Sequence, residues 1–499
     1  MSIDEGQITR LVEEVVDKLR RDGSLSVPPH ERSKNGEAPS TISHASTSGG
    51  ASSPRDGIFA SIDEATVAAQ AAYLEFRKES LESRKKVIDS MRRAAKESCE
   101  ILAREAVSET GLGKVAHKVQ KVLLAATKTP GVEDLEPFAY TGDDGLTLVE
   151  PAPYGVVGCI TPTTNPAPTV INNGISAVAA GNAVVFNPHP SAKGVSNLCV
   201  SILNDAICKA GGPRTLLCSV REPSLDSSQA LMKHPGIKML VVTGGGAVVK
   251  LAMASDKKCI AAGPGNPPVI VDDTADISKA ARCIVDGATF DNNVLCTAEK
   301  EVFVFDNVAD RLLEEMQARG AHLVADRHLS LLAELLVEES EPFPYGPGRY
   351  PHPNKDYVGK DASVLLEAGG IEAPRDTCLI ICETPYEHPF VHAEMLMPIL
   401  PIVRARDLEH ALEMAIGAEH GFRHSAVMHS ESVSNLTRVA REIETTIFTK
   451  NAPSYAGLGF GGEGFATLSI AGPTGEGLTS ARNYTRQRRC VLSGGFRII

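Results

Sequence analysis

Residues 155–190 read GVVGCITPTTNPAPTVINNGISAVAAGNAVVFNPHP, and the punctuation of this stretch decides the fold class. Gly155–Thr161 is a short apolar run suited to a strand buried on both faces. Thr169–Ala180 has helical spacing and stops at Gly181; Ala183–Asn187 is a second short apolar strand, and Ser191–Lys209 a helix stopped by Gly211-Gly212. The alternation continues through a strand at Ile237–Thr243 and a helix at Gly246–Ala254. Repeated β-α units with short links imply a parallel sheet covered by helices on both faces, the doubly wound α/β class. A second α/β run, from about Pro268 to Thr446, opens on PVIVD and includes the strand Glu301–Phe305. Ligands of such sheets bind beyond the strand C-termini, so the cleft between the two α/β domains is where chemistry is expected.

Upstream of this core the sequence is helical. Ser61 and Glu64 make a capping box, and the run Leu81–Val107 predicts one long helix closed at Gly111. Residues 22–57 are crowded with Ser, Pro, Gly and Thr and cannot bury enough to fold, so they read as a disordered linker. In front of it, Ile8, Leu11, Val12, Val15, Val16 and Leu19 share one stripe of a helix over 1–21, with Arg10, Glu13, Glu14, Asp17 and Arg21 opposite. An isolated helix this short needs a partner surface. It folds back on its own body or docks elsewhere, and the long tether favours docking elsewhere.

Bulk properties narrow the function. With 499 residues, 42% of them hydrophobic and 22% charged, the chain is globular and too long for a single core. A net charge of -12 argues against a nucleic-acid partner. No run approaches the roughly 20 apolar residues of a membrane span, and MSIDEGQITR lacks the apolar core of a signal peptide, so no membrane association and a cytosolic body are expected. The 11 cysteines are scattered without a CxxC pair, which reads as reduced thiols, with neither a disulfide framework nor a metal site. The run Arg486-Gln487-Arg488-Arg489 reads as a solvated or subunit-contacting face.

The segment 290–300, FDNNVLCTAEK, places Cys296 on the connection between a helix ending near Ala288 and the strand Glu301–Phe305. A cysteine there can be exposed and activated by backbone N–H groups; any one cysteine of the 11, taken alone, is more simply a small core residue. Its context is more specific. The ordered motifs TPTTNP (161–166), NPHP (187–190), VTGGG (242–246), AGPGNPP (262–268), the Cys296 segment, EMLMP (394–398) and GGEG (461–464) resemble the aldehyde dehydrogenase superfamily, and most closely its CoA-acylating branch, typified by propionaldehyde and acetaldehyde dehydrogenases of bacterial microcompartments. The resemblance runs from Ala60 to the C-terminus.

It implies an aldehyde dehydrogenase-like fold of two doubly wound α/β domains with a small β oligomerisation element. The NAD-binding domain would be 58–265 with a return segment 450–477, the catalytic domain 266–449, and the oligomerisation element 138–152 with 478–499, whose strand at Val491–Ile499 would pair with a neighbouring subunit of a dimer or tetramer. Cys296 matches the family nucleophile. The oxyanion donor is Asn165 or Thr164, because aligning TPTTNP with the Pro-Trp-Asn-Phe-Pro element of the hydrolytic branch leaves both open; a turn asparagine before proline is the plain alternative. Thr161, Pro162, Asn187, His189, Pro190, Thr243, Gly244, Gly245, Gly246 and Gly263 match positions around the dinucleotide, and Glu394 the glutamate on the nicotinamide ribose.

Two departures from the hydrolytic branch carry information. Asn187 replaces the lysine that binds the adenine ribose, so the adenosine contacts differ; without that lysine or a basic substitute, NAD is the expected cofactor. Ala262 stands where that branch has its water-activating glutamate, and an alanine is no general base. Coenzyme A, a thiol, needs less help to attack a thioester than water does. The expected reaction is therefore oxidation of a short aldehyde (propionaldehyde, acetaldehyde or lactaldehyde) to acyl-CoA. The alternatives are hydrolysis to the free acid, or a non-catalytic scaffold. The helix over 1–21 resembles the peptides that carry enzymes into bacterial microcompartments, with a shell protein as its partner.

Overall fold

The computed structural model describes residues 57–342 and 349–498. The predicted helix over 1–21 and the linker up to residue 56 lie outside the described residues, as does part of the stretch 341–357.

A six-stranded sheet contains β1 (Ile58–Phe59), β2 (Val156–Thr161), β3 (Ala183–Pro188), β4 (Leu217–Val220), β5 (Ile237–Thr243) and β6 (Lys258–Ala262) in the order β1-β4-β3-β2-β5-β6, every pair parallel. From β2 the chain winds outward through β3 and β4, then returns to lay β5 on the other side of β2. The strand order thus reverses between β2 and β5, the kind of point where doubly wound sheets open a crevice.

The second sheet has seven parallel strands: β7 (Pro268–Val271), β8 (Glu301–Phe305), β9 (Ala321–Leu323), β10 (Leu379–Glu383), β11 (Ile399–Ala405), β12 (Ser425–His429) and β13 (Ile447–Lys450), in the order β9-β10-β11-β8-β7-β12-β13. Its central strands are apolar at consecutive positions because both faces are covered. Val269, Val271, Val302 and Val304 enter one core, while Ile270, Phe303 and Phe305 of the same strands enter another. Residues 263–267 alone join β6 to β7, so the C-terminal edge of the first sheet meets the N-terminal edge of the second.

A third, antiparallel sheet pairs Gly145–Pro153 with Phe138–Gly142 on one side and with Thr485–Ser493 on the other. The basic run Arg486–Arg489 is part of that last strand, which begins earlier than expected and ends at Ser493. Asn182, fully buried, ties this layer to the first sheet: its Oδ1 accepts from the N–H of Tyr154 (2.8 Å) and Gly155 (2.9 Å), and its Nδ2 donates to Tyr484 O (2.9 Å).

Local corrections have physical causes. The run 81–107 is two helices, Leu81–Glu97 and Cys99–Thr110, broken at Ser98 (φ -100°, ψ 6°) and closed by Gly111 at φ 67°. The helix read as Thr169–Ala180 starts at Pro166, since proline suits the first turn, where an N–H has no helical partner. At Ser61 the hydroxyl accepts from Glu64 N–H as expected, but the Glu64 carboxylate takes the N–H of Ala60 instead of that of Ser61. Among the described residues no helix is long and apolar enough to cross a membrane.

Asn182→Ala would strip two backbone N–H groups and a carbonyl of their buried partner. A loss of about 2–4 kcal/mol in unfolding free energy is expected from groups left unsatisfied, measurable by denaturant titration.

Candidate active site

Cys296 is presented by a backbone that only its neighbours' side chains can hold. After the helix Ile277–Thr289, three consecutive residues, Asp291 (φ 53°), Asn292 (φ 54°) and Asn293 (φ 65°), are left-handed. Asp and Asn are the non-glycine residues that best tolerate this region, because their short polar side chains can bond locally. Asn293 Nδ2 donates to Ala288 O and Glu299 O, both at 3.0 Å. Asn292 Nδ2 donates to Gly359 O (3.0 Å) and Asp361 Oδ1 (2.8 Å). Asp291 takes the Lys114 N–H at 2.8 Å and the ammonium groups of Lys118 (3.0 Å) and Lys121 (2.6 Å), the two ammonium groups buried on the inner face of the helix Val115–Lys128.

The turn that follows has its carbonyls bound from behind. Lys121 Nζ donates to Val294 O (2.5 Å), and Lys300 Nζ to Leu295 O (2.9 Å) and Ala298 O (3.2 Å). Among the described residues no backbone carbonyl accepts from the Cys296 N–H, which instead acts on its own sulfur. A backbone N–H at the nucleophile, free of a carbonyl partner, is a donor available to an oxyanion.

Electrostatically the resting thiol is not activated, contrary to the expectation from its position. Desolvation and then the Glu394 carboxylate push Cys296 up to about 11, against opposing pulls from Lys300, Lys121 and its own N–H. Burial raises Glu394 to about 7, with Lys300 and the Gly265 N–H opposing. Gly265 lies on the link between the sheets, where a Cβ would stand 3.0 Å from Cys296 O and 2.8 Å from His424 Cγ, so the close approach needs glycine. His424, unremarked in the sequence, is buried and pushed down to about 3, hence neutral; its Nδ1 lies 3.0 Å from Ser425 Oγ.

The residues matched to the dinucleotide gather along the C-terminal edge of the first sheet. Thr161 ends β2 opposite Pro188, Thr243 ends β5 opposite Ala262, and Asn187, His189 and Pro190 lie at or just beyond the end of β3. Pro162 follows Thr161 directly, and Gly263 follows Ala262. Gly244 and Gly245 lead into the helix Gly246–Met253, and around the position of a Cβ on either there is open space. Thr161 Oγ1 is buried without a partner, at the strand-order reversal. An orphaned hydroxyl, two glycines facing open space and a helix start fit a dinucleotide. Asn187 is engaged at both ends, by Ser227 (2.6 Å) and Ser228 (2.8 Å), while Thr243 bonds Ser469 (3.1 Å).

Asn165 and Thr164 stand across from the Cys296 turn. Asn165 Oδ1 accepts from Lys121 Nζ at 2.7 Å, and Thr164 O from Lys118 Nζ at 3.3 Å. The sequence reading missed Lys118, Lys121 and Lys300. A signal existed for the first two: they fall in register with Val122 and Ala125 on the buried face of their helix, where solvated lysines do not belong.

An apolar crevice lined by Lys121, Leu124, Phe290, Leu295, Tyr455 and Phe460 runs beside the turn. It shares Gln120, Leu124 and Phe460 with an outer cavity of about 560 Å³.

The aldehyde dehydrogenase family model matches residues 35–331, more than half of the chain. The chain belongs to the aldehyde dehydrogenase family. It is 48% identical over 444 residues to an acetylating acetaldehyde dehydrogenase of Salmonella typhimurium, covering 89% of this chain and 94% of that one. The solved propionaldehyde dehydrogenase from the fucose utilisation microcompartment of Clostridium phytofermentans superposes with a TM-score of 0.85 at 48% identity, over 89% of this chain and 100% of the other. A propionaldehyde dehydrogenase of Rhodopseudomonas palustris, solved with bound CoA and an acylated cysteine, superposes with a TM-score of 0.84 at 46% identity, over 88% of this chain and 98% of the other.

Because the Glu394 charge opposes the thiolate, Glu394→Gln should move the pH profile of Cys296 alkylation by iodoacetamide to lower pH. A profile that stays in place or moves up would contradict this electrostatic assignment. Peptide mapping of the labelled cysteine reads it.

Proposed function

We propose that this chain oxidises a short aliphatic aldehyde, such as propionaldehyde, acetaldehyde or lactaldehyde, to the acyl-CoA with NAD as oxidant. The observation that carries the reading is the Cys296 turn: a thiol and a backbone N–H with no carbonyl partner lie on a turn tied to the Asn165 amide through Lys121, and Ala262 stands where a water-activating carboxylate would be needed. The names of the relatives, acetylating and propionaldehyde dehydrogenases, support the same substrate class.

The apolar walls beside the turn, Leu124, Phe290, Tyr455 and Phe460, suit a short aliphatic aldehyde. Cys296 gives up its proton to solvent and its thiolate attacks the carbonyl carbon; the carbon–oxygen π pair moves onto oxygen, where the Cys296 N–H and the Asn165 amide bind the charge. NAD supplies the acceptor for the hydride that leaves this carbon. Collapse of the alkoxide restores the carbonyl as a thioester on Cys296. The CoA thiol, entering as its thiolate, then attacks that thioester and releases the Cys296 thiolate, so two electrons have left the aldehyde and one thioester has exchanged for another. Ala262 offers water no base at that position, whereas a thiol keeps a few per cent thiolate near neutrality.

The exposed antiparallel sheet supports a homo-oligomer. Phe138, Tyr140, Val491 and Leu492 are exposed on it, and the strands Phe138–Gly142 and Thr485–Ser493 leave unpaired edges. Residues 1–21, by their amphipathic pattern and by likeness to an enzyme of a microcompartment, would dock on a shell protein.

Two measurements test these readings. NADH formation from propionaldehyde should be sustained with CoA and stop after about one turnover per active site without it, with propionyl-CoA as product by mass spectrometry; Cys296→Ala should lose both phases. Continuous turnover to the carboxylic acid with CoA omitted would establish the hydrolytic alternative. Truncation after Tyr484, which removes the strand Thr485–Ser493 and keeps the buried Tyr484, should lower the mass by light scattering to that of a single chain, and an unchanged oligomer would place the interface elsewhere.

A further inference from the structure

Asn165 sits where an asparagine normally caps a helix, yet it makes no cap. It is the residue before the helix Pro166–Ala179, and its side chain accepts no backbone N–H there. Prolines at the first and third helical positions, Pro166 and Pro168, remove N–H groups that a cap would use. The carbonyl end of its amide is instead taken by Lys121, whose Nζ donates to Asn165 Oδ1 (2.7 Å), Asp291 Oδ2 (2.6 Å) and Val294 O (2.5 Å). An ammonium has three protons, and all three are committed. Because it can only donate, the atom facing it must be the amide oxygen, which leaves Nδ2 on the opposite side. There Nδ2 has one long contact, to Thr164 Oγ1 at 3.4 Å, and keeps a proton free.

We propose that Lys121 is a positioning residue for acyl formation: it locks the Asn165 amide with its N–H₂ turned outward to the substrate oxygen and fixes the spacing between that amide and the Cys296 turn. The proposal rests on the reading of Cys296 as nucleophile and Asn165 as oxyanion donor. Without Lys121 the amide can rotate by half a turn and present its oxygen to the developing negative charge, turning a stabilising contact into a repulsive one. Asp291 serves the same strut from behind, since an ammonium this deeply buried needs an anion beside it. Lys118, which also binds Asp291 but reaches Thr164 O and not the amide, keeps that carboxylate paired when Lys121 is replaced.

The test is the pre-steady-state NADH burst with CoA absent, measured in Lys121→Met, Lys121→Gln, Asn165→Ala and the double variants. Loss of an oxyanion donor costs about 10²–10³ in rate. Lys121→Met should therefore slow the burst by roughly 10², well beyond the slower cysteine alkylation by iodoacetamide that loss of a positive charge near the sulfur brings, and adding it to Asn165→Ala should cost little more. Lys121→Gln, which keeps an N–H donor without the charge, should recover at least tenfold over Lys121→Met, and it carries the coupling cycle by itself if Lys121→Met does not fold. Equal rates for the Met and Gln variants, or full additivity with Asn165→Ala, would overturn the positioning role. A normal burst in Lys121→Met beside a slow one in Asn165→Ala removes Lys121 alone, whereas a normal burst in Asn165→Ala removes the oxyanion assignment and this proposal with it.

Discussion

The buried carboxylate of Asp291, gripped by Lys118 and Lys121, is the constraint on which the site depends. Taking three ions out of water costs several kcal/mol each, and the cost is offset only where geometry and further hydrogen bonds are good. Here they are: Asp291 also accepts the Lys114 N–H, and Lys121 has a partner for every proton. The same carboxylate anchors the first of three left-handed residues, a conformation that disfavours an L-residue by roughly 1–2 kcal/mol each. Gly113, at φ 74°, makes room for it, since a Cβ there would lie 2.1 Å from Asp291 Oδ1. Charge, backbone strain and close packing are thus concentrated at one carboxylate, five residues before the nucleophile.

This knot matters because of how the two sheets meet. In an isolated doubly wound sheet the C-terminal edge holds the ligand, and the first sheet obeys that rule, with Thr161, Thr243 and Gly263 along that edge. Cys296 lies instead just before β8, on the N-terminal edge of the second sheet. The short link through Gly265 brings the two edges together, and neither sheet alone contains both halves of the chemistry. The proposed nucleophile is therefore held on a loop, and the loop needs bracing from the helix Val115–Lys128, which packs against the first sheet's layer.

Much of the fold was legible because glycines and short apolar runs punctuate it: β2, β3, β5 and β8 lie within a residue of where patterning puts them. The break at Ser98 was not, since neither Gly nor Pro marks it and the helical spacing continues across it. Patterning starts the helix Pro166–Ala179 at Thr169, three residues late, because its first turn carries Pro166 and Pro168, although proline suits a helix's first turn. The nucleophile came from the resemblance, as nothing local separates Cys296 from ten other thiols. Lys121 stayed hidden for a different reason. Its partner Asp291 is 170 residues away, so only the folded chain shows that a lysine on an amphipathic helix faces inward.

The electrostatics of the resting pocket fit a thiol acceptor better than water. Glu394 is the carboxylate that acts most strongly on the sulfur, and it disfavours the thiolate, so Cys296 rests protonated and little of it is open to adventitious attack. Once the acyl group is on sulfur, the thiol no longer titrates, and the remaining requirement is a nucleophile that arrives already active. In the proposed reaction Ala262 cannot activate water, and Lys121 and Lys300 hold the carbonyls of Val294, Leu295 and Ala298. On the proposed reading the site supplies positioning and oxyanion binding and leaves nucleophilicity to the co-substrate.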